Sequence, residues 1–249
     1  MDGVLWRADS PIGHLPSIFS HIKELGFKFV FATNNGSRTP EQFVERFRKY
    51  QVEVDPNQIV TSSIALAEIL SKKYHRGESI YAIGERGVFE ALTEKGFEVL
   101  PLEKALEAKV FVFGMDRAIN FEKMCAATLL VGRGAPFFAS NSDKTFPTPM
   151  GEIPGTGAWV SVITTATGIT PYFAGKPSTF ILEIARERLG TSREETLVIG
   201  DRLETDISGG QAAGMPVCLV LSGVSSRAQG EKWKPKVDII ADNLADLFG

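Results

Sequence analysis

Apolar and polar positions follow two periods along this chain, and the periods alternate. The run Phe27-Lys28-Phe29-Val30-Phe31-Ala32 is short, aromatic and β-branched, which predicts a strand. Ahead of it, apolar residues from Leu15 to Leu25 recur at helical spacing. Behind it, residues 40–50 are amphipathic, with Thr39 placed to cap and Pro40 at the first helical position. Ile59-Val60-Thr61 reads as a strand, and Ser62 or Ser63 opens a helix that runs to about Tyr74. After the polar break His75-Arg76-Gly77-Glu78 a second series begins. Strands are expected at 79–83, 97–100, 110–113 and 136–139, with helices at 88–95 and 121–131. A polar loop at 140–154 leads into a helix at 157–167. Tyr172-Phe173-Ala174, residues 196–199 and residues 217–221 are strand-like, and 178–189 and 205–213 are helical between them.

Strands that alternate with helices predict an α/β fold with a doubly wound parallel sheet. Residues 76–168 are expected to form an inserted α/β domain, and residues 1–75 and 169–249 to form the core domain together.

Composition narrows the function. A chain of 249 residues with net charge −3 lacks the basic balance expected of a protein that binds nucleic acid polymers. Cys125 and Cys218 lie far apart in apolar or small-residue runs and read as buried, reduced thiols. His14, His21 and His75 have no metal-ligand spacing. No apolar run approaches the roughly 20 residues of a membrane span, and no signal peptide opens the sequence, so no membrane partner and a cytoplasmic location are expected.

In an open parallel sheet, ligands bind at the carboxyl ends of the strands. Four polar groups fall there: Asp2 before Gly3, Thr33-Asn34-Asn35-Gly36, Gly175-Lys176-Pro177, and Gly200-Asp201-Arg202 with Asp206 shortly after. Acids gathered at one edge repel each other unless a cation joins them, and carboxylates with phosphate oxygens and water suit Mg²⁺. A hydroxyl, backbone N–H groups and a lysine hold phosphate oxygens. The set therefore suits phosphoryl transfer, where catalysis is mostly positioning and electrostatics. Gly155-x-Gly157 is too slight and too misplaced to mark a dinucleotide site.

The four segments Asp2-Gly3-Val4-Leu5-Trp6, Ala32-Thr33-Asn34-Asn35, Gly175-Lys176-Pro177-Ser178 and 200–206 resemble, in order, the four motifs of the haloacid dehalogenase (HAD) superfamily. Pro154-Gly155-Thr156-Gly157-Ala158, Ala166-Thr167-Gly168 and Gly175-Lys176-Pro177 are similar to its subfamily IIA, the p-nitrophenyl phosphatase and nucleotide phosphatase branch. The resemblance implies a Mg²⁺-dependent phosphatase acting on a small phosphorylated metabolite, with an α/β cap of the C2 type at 76–168. In it Asp2 acts as general acid and base and lends its carbonyl to Mg²⁺. Thr33, Asn34 and Asn35 bind phosphate, and Lys176 holds nucleophile and phosphate together. Asp201 ligates the metal and Asp206 supports its water shell. The loop Asn141-Ser142-Asp143-Lys144-Thr145-Phe146 resembles the cap's specificity loop, which places Asp143 at the substrate. Caps of this kind often support homodimers.

One departure stands out. The family nucleophile is the first Asp of Asp-x-Asp, and Met1 occupies the middle position. The nucleophile and the first core strand are therefore expected just upstream of Met1. The alternatives are a catalytically dead protein that holds Mg²⁺ and phosphate, and a metal-independent dehalogenase, which the acids at 2, 201 and 206 disfavour.

Overall fold

The computed structural model describes residues 1–148 and 150–248, an α/β fold divided into two compact units. The first comprises residues 1–32, 41–60 and 176–249, and the second residues 33–40 and 61–175. Residues 33–40, 61–75 and 169–175, expected in the core domain, group here with residues 76–168. Among the described residues no helix is long and apolar enough to cross a membrane.

In the first unit, the helical period of Leu15–Glu24 buries Leu15, Ile18, Phe19 and Ile22. Pro40–Lys49 buries Phe43, Val44 and Phe47. Their rings meet Trp6 and Phe31, with Phe31 and Phe47 centroids 4.6 Å apart and Trp6 and Phe47 5.1 Å apart. Val198–Gly200, Val217–Val220 and Ile239–Ala241 form a three-stranded parallel sheet in that order. Phe31–Thr33 pairs with Ile59–Thr61 in a separate two-stranded ladder.

Two strand edges thus lie without a ladder partner among the described strands: one side of Phe31–Thr33 and one side of Val198–Gly200. Both strands line the same cavity of about 440 Å³, together with Met1, Phe19, Ile22 and Phe248. This accounts for a difference from the sequence pattern. The apolar run 27–32 predicts six strand residues, but only Phe31–Thr33 is laddered, and 27–30 have no regular structure. A strand extends only as far as a neighbour accepts its backbone hydrogen bonds.

The second unit is built on a five-stranded parallel sheet in the order Tyr172–Phe173, Phe137–Ala139, Val110–Phe113, Ser79–Ile83, Glu98–Leu100. Val110–Phe113 is buried at every position, as a central parallel strand should be. Tyr172–Phe173, expected in the core sheet, instead pairs with Phe137–Ala139. The expected loop 140–154 contains an antiparallel hairpin, Thr145–Thr148 with Gly151–Pro154. Its prolines hid it, because proline is confined to strand edges and termini.

Candidate active site

The residue after strand Val198–Gly200 is Asp201, buried at the strand's carboxyl end. Its Oδ2 accepts the Val224 N–H (3.0 Å), and its carbonyl accepts the Ser225 N–H (3.0 Å). Gly3 lies directly against the Asp201 carboxylate. A Cβ at Gly3 would overlap that carboxylate, and the Gly3 φ of +76° also favours glycine. Ser222 Oγ donates to the Gly3 carbonyl at 2.7 Å, so residues 1–3 and 222–225 wall in Asp201 together. Burial, and next the charge of Asp206, push the Asp201 carboxyl above the usual carboxylate range.

Asp206 sits on a π-helical turn, Leu203–Ile207, where the sequence predicts a plain α-helix from about 205. Its Oδ1 accepts Lys176 Nζ at 2.6 Å and its Oδ2 accepts the Arg202 N–H at 3.2 Å. Lys176 Nζ also donates to the carbonyl of Ala32 (3.0 Å), the residue before Thr33. Burial alone would raise the Asp206 carboxyl, but the Lys176 ammonium beside it outweighs burial and holds it below its usual value. Gly200 packs on this side chain, and an added Cβ would overlap it. Gly200→Ala is therefore expected to cost about 1–3 kcal/mol by overpacking, read from urea unfolding. An unchanged midpoint would mean that Asp206 is free to move aside.

Asp2 Oδ1 accepts the indole N–H of the fully buried Trp6 at 2.9 Å. The Arg46 guanidinium lies 4.2 Å above the Trp6 ring centroid and 3.8 Å from the same carboxylate oxygen, and it bonds the Ala8 carbonyl. Asp2, Asp201 and Asp206 therefore do not form a cage of three carboxylates. Asp2 is turned to the indole and Asp206 to Lys176. Among the described residues no three His, Cys, Asp or Glu side chains gather around one ion position.

Thr33, Asn34, Asn35 and Asp143 belong to the second unit. Thr33 Oγ1 accepts the Asn35 N–H (3.2 Å), and Asn35 Oδ1 accepts from Ser37 N–H (3.2 Å) and Ser37 Oγ (2.8 Å). The loop's own side chains thus shape its backbone. Asn34 Nδ2 donates to Asp143 Oδ1 at 3.2 Å, which brings these two predicted residues together.

Trp6 and Arg46 carry parts of these arrangements that the sequence motifs do not assign, and so does Asn141, whose Oδ1 accepts the Asp143 N–H at 3.1 Å. Trp6 stands in the first motif segment, and Asn141 is the head of an Asn-x-Asp turn, a recognisable local signal. Arg46 is one of three basic residues in the last turn of its helix and carries no distinguishing mark.

Residues 1–98 match the haloacid dehalogenase-like hydrolase family, and residues 173–247 match a HAD-hydrolase-like family. The 5'-nucleotidase YutF of Bacillus subtilis is 36% identical over 227 residues, covering 91% of this chain and 87% of that one. A double mutant of the thermostable NPPase from Geobacillus stearothermophilus superposes with a TM-score of 0.90 at 34% identity, covering 99% of this chain and 94% of that one. The glycerol phosphate phosphatase Rv1692 of Mycobacterium tuberculosis, solved in complex with magnesium, superposes with a TM-score of 0.92 at 28% identity, covering 99% of this chain and 74% of that one. With this breadth of similarity, the chain belongs to the haloacid dehalogenase-like hydrolases.

Proposed function

We propose that the protein is a Mg²⁺-dependent phosphomonoesterase. It hydrolyses small phosphorylated metabolites through an aspartyl phosphate whose carboxylate is supplied by the residue immediately upstream of Met1. The observation that carries this reading is the buried Lys176–Asp206 pair next to Asp201, at the carboxyl end of strand Val198–Gly200. A buried lysine held between the Asp206 carboxylate and the Ala32 carbonyl fixes a positive charge at the site, which suits an anion better than a neutral ligand.

The donor set suits Mg²⁺, which keeps several waters and takes one or two protein carboxylates with the substrate's phosphate. Asp201 would be the direct ligand, with the Asp2 carbonyl beside it. Asp206, paired with Lys176, would act through water. The magnesium complex of the M. tuberculosis relative supports this choice. When bound, the ion screens the repulsion between an anionic nucleophile and an anionic ester.

The chain's own groups would do the rest. Lys176 places a point charge for the phosphate oxygens. Asp2 gives a proton to the leaving oxygen and later takes one from the attacking water. The Trp6 indole N–H holds Asp2 Oδ1, which would leave Oδ2 for the proton transfer. Thr33 and Asn34 are assigned to phosphate oxygens by their resemblance to the second family motif alone.

The unpaired edges of Phe31–Thr33 and Val198–Gly200, facing one cavity that Met1 also lines, support an upstream strand ending in Asp. The test compares the 249-residue chain with a chain extended through its upstream in-frame codons, using p-nitrophenyl phosphate. The extended chain is expected to turn over with Mg²⁺, to stop with chelator and to recover on adding Mg²⁺ back. The shorter chain is expected to bind phosphate without turnover. Activity that chelator leaves untouched would favour the dehalogenase reading. Equal turnover by the shorter chain would sink the upstream nucleophile.

A further inference from the structure

Two loops of the second unit meet on one peptide group. The carbonyl of Asn34 accepts two hydrogen bonds, from Ser62 Oγ at 2.6 Å and from Asn141 Nδ2 at 2.7 Å. The other end of the same residue, Nδ2, donates to Asp143 Oδ1 at 3.2 Å. Asn141 and Asp143 are themselves joined, because the Asp143 N–H donates to Asn141 Oδ1 at 3.1 Å. Asn141 is buried, and its Nδ2 also reaches Ser140 Oγ at 3.3 Å. The carboxamide of one buried asparagine therefore serves both loops: its N–H group holds 33–37 and its oxygen turns 141–143.

The loop 141–144 is in turn fixed to a rigid element. The Gly157 N–H donates to the Asp143 carbonyl at 2.8 Å, and the Gly155 N–H donates to the Lys144 carbonyl at 2.9 Å. A Cβ at Gly157 would overlap the Ser142 carbonyl. The Gly155-x-Gly157 pair thus lets a loop backbone lie against the first turn of helix Thr156–Thr167. On its far side, loop 33–37 is held by Ser63 Oγ, which donates to the Gly36 carbonyl at 2.7 Å at the head of helix Ser62–Lys73.

We infer that Asn141 and Asp143 are positioning residues: they hold Asn34 at its carbonyl and at its carboxamide, so that the phosphate loop 33–37 and the loop 141–144 respond as one body. This rests on the phosphatase reading for what loop 33–37 holds, but the coupling itself does not. The Asp143 carboxylate orients the Asn34 amide rather than meeting the leaving group. A substrate that displaces loop 141–144 therefore also displaces the amides that hold its phosphate. Affinity for phosphate and selection of the leaving group become linked through Asn141.

The first measurement needs no turnover. In the 249-residue chain, Asn141→Ala is expected to speed amide hydrogen exchange at Asn35 and Ser37 by about tenfold, the size of one buried hydrogen bond lost. Amides of strand Val110–Phe113 are expected to keep their rates. Unchanged exchange at Asn35 and Ser37 would overturn the inference.

The second measurement uses the extended, active chain. Asn141→Ala and Asp143→Ala are each expected to raise KM for every phosphate ester, and the inhibition constant of inorganic phosphate, by the same factor of about ten. They are expected to leave kcat within about twofold, because the chemistry lies elsewhere. Asp143→Asn keeps an oxygen for Asn34 Nδ2 and is expected to recover most of what Asp143→Ala loses. If Asp143→Ala altered KM for one ester while phosphate inhibition stayed constant, Asp143 would be touching the leaving group and the inference would fail. If exchange responds as expected but the extended chain turns over no phosphate ester, the coupling stands and the phosphatase reading falls.

Discussion

Turnover by the extended chain is expected to fall by about 10²–10⁴-fold when Asp2 is replaced by Asn, the usual worth of a general acid–base group. Asn keeps an oxygen for the Trp6 indole N–H, so the local fold should survive and thermal unfolding should barely move. Metal affinity should also survive, because Asp2 is assigned to the ion through its carbonyl. The loss should depend on the leaving group. A nitrophenolate departs without a proton, whereas an alkoxide needs one, so an alkyl phosphate should suffer more than p-nitrophenyl phosphate. Steady-state kinetics with both esters decide the matter. An Asp2→Asn enzyme that kept full activity on the alkyl ester would remove Asp2 from the mechanism.

The second large effect concerns stability. Lys176 is 8% exposed and Asp206 6%, and their charged atoms are 2.6 Å apart. Lys176→Met leaves the Asp206 charge buried without its cation, which typically costs about 3–5 kcal/mol. For a chain of this size each kcal/mol moves the melting temperature by about 2–4 °C, so a fall of roughly 6–20 °C is expected. The double variant Lys176→Met with Asp206→Asn removes both charges and retains an acceptor for the Arg202 N–H. It should recover most of the stability and none of the activity. That contrast separates the pair's share in folding from its share in the reaction. A single variant that melted within a degree or two of the parent would show that water reaches the pair.

Much of this architecture is legible along the chain where the physics is local. Thr39 and Pro40, followed by apolar residues at 43, 44 and 47, mark the helix Pro40–Lys49 with little ambiguity. A positional rule is enough to place the acid of Gly200-Asp201, because residues following a parallel strand face its ligand edge. Non-local pairing is not legible in the same way. The run 27–32 has strand chemistry throughout, yet how far it ladders depends on the neighbour available. Tyr172–Phe173 is a plain strand signal that carries no information about which sheet it joins. The same limit applies to the candidate site. Lys176, Asp201 and Asp206 can be picked out by type and position. That Asp2 turns to Trp6, and that Asn141 binds a peptide group 107 positions away, are facts of packing.

The turn Leu203–Ile207 contains one residue more than an α-helical turn can hold. A single-residue deletion there need not break the helix that follows, since ordinary i to i−4 bonding would absorb it. Side chains beyond the turn would keep their bearing, but those inside it would be re-aimed as the turn tightens toward the roughly 100° per residue of an α-helix. The carboxylate of Asp206 lies within that widened arc, so the surplus residue sets its compass bearing. Chain length in this stretch is therefore as much a determinant of chemistry as the identity of any acid on it.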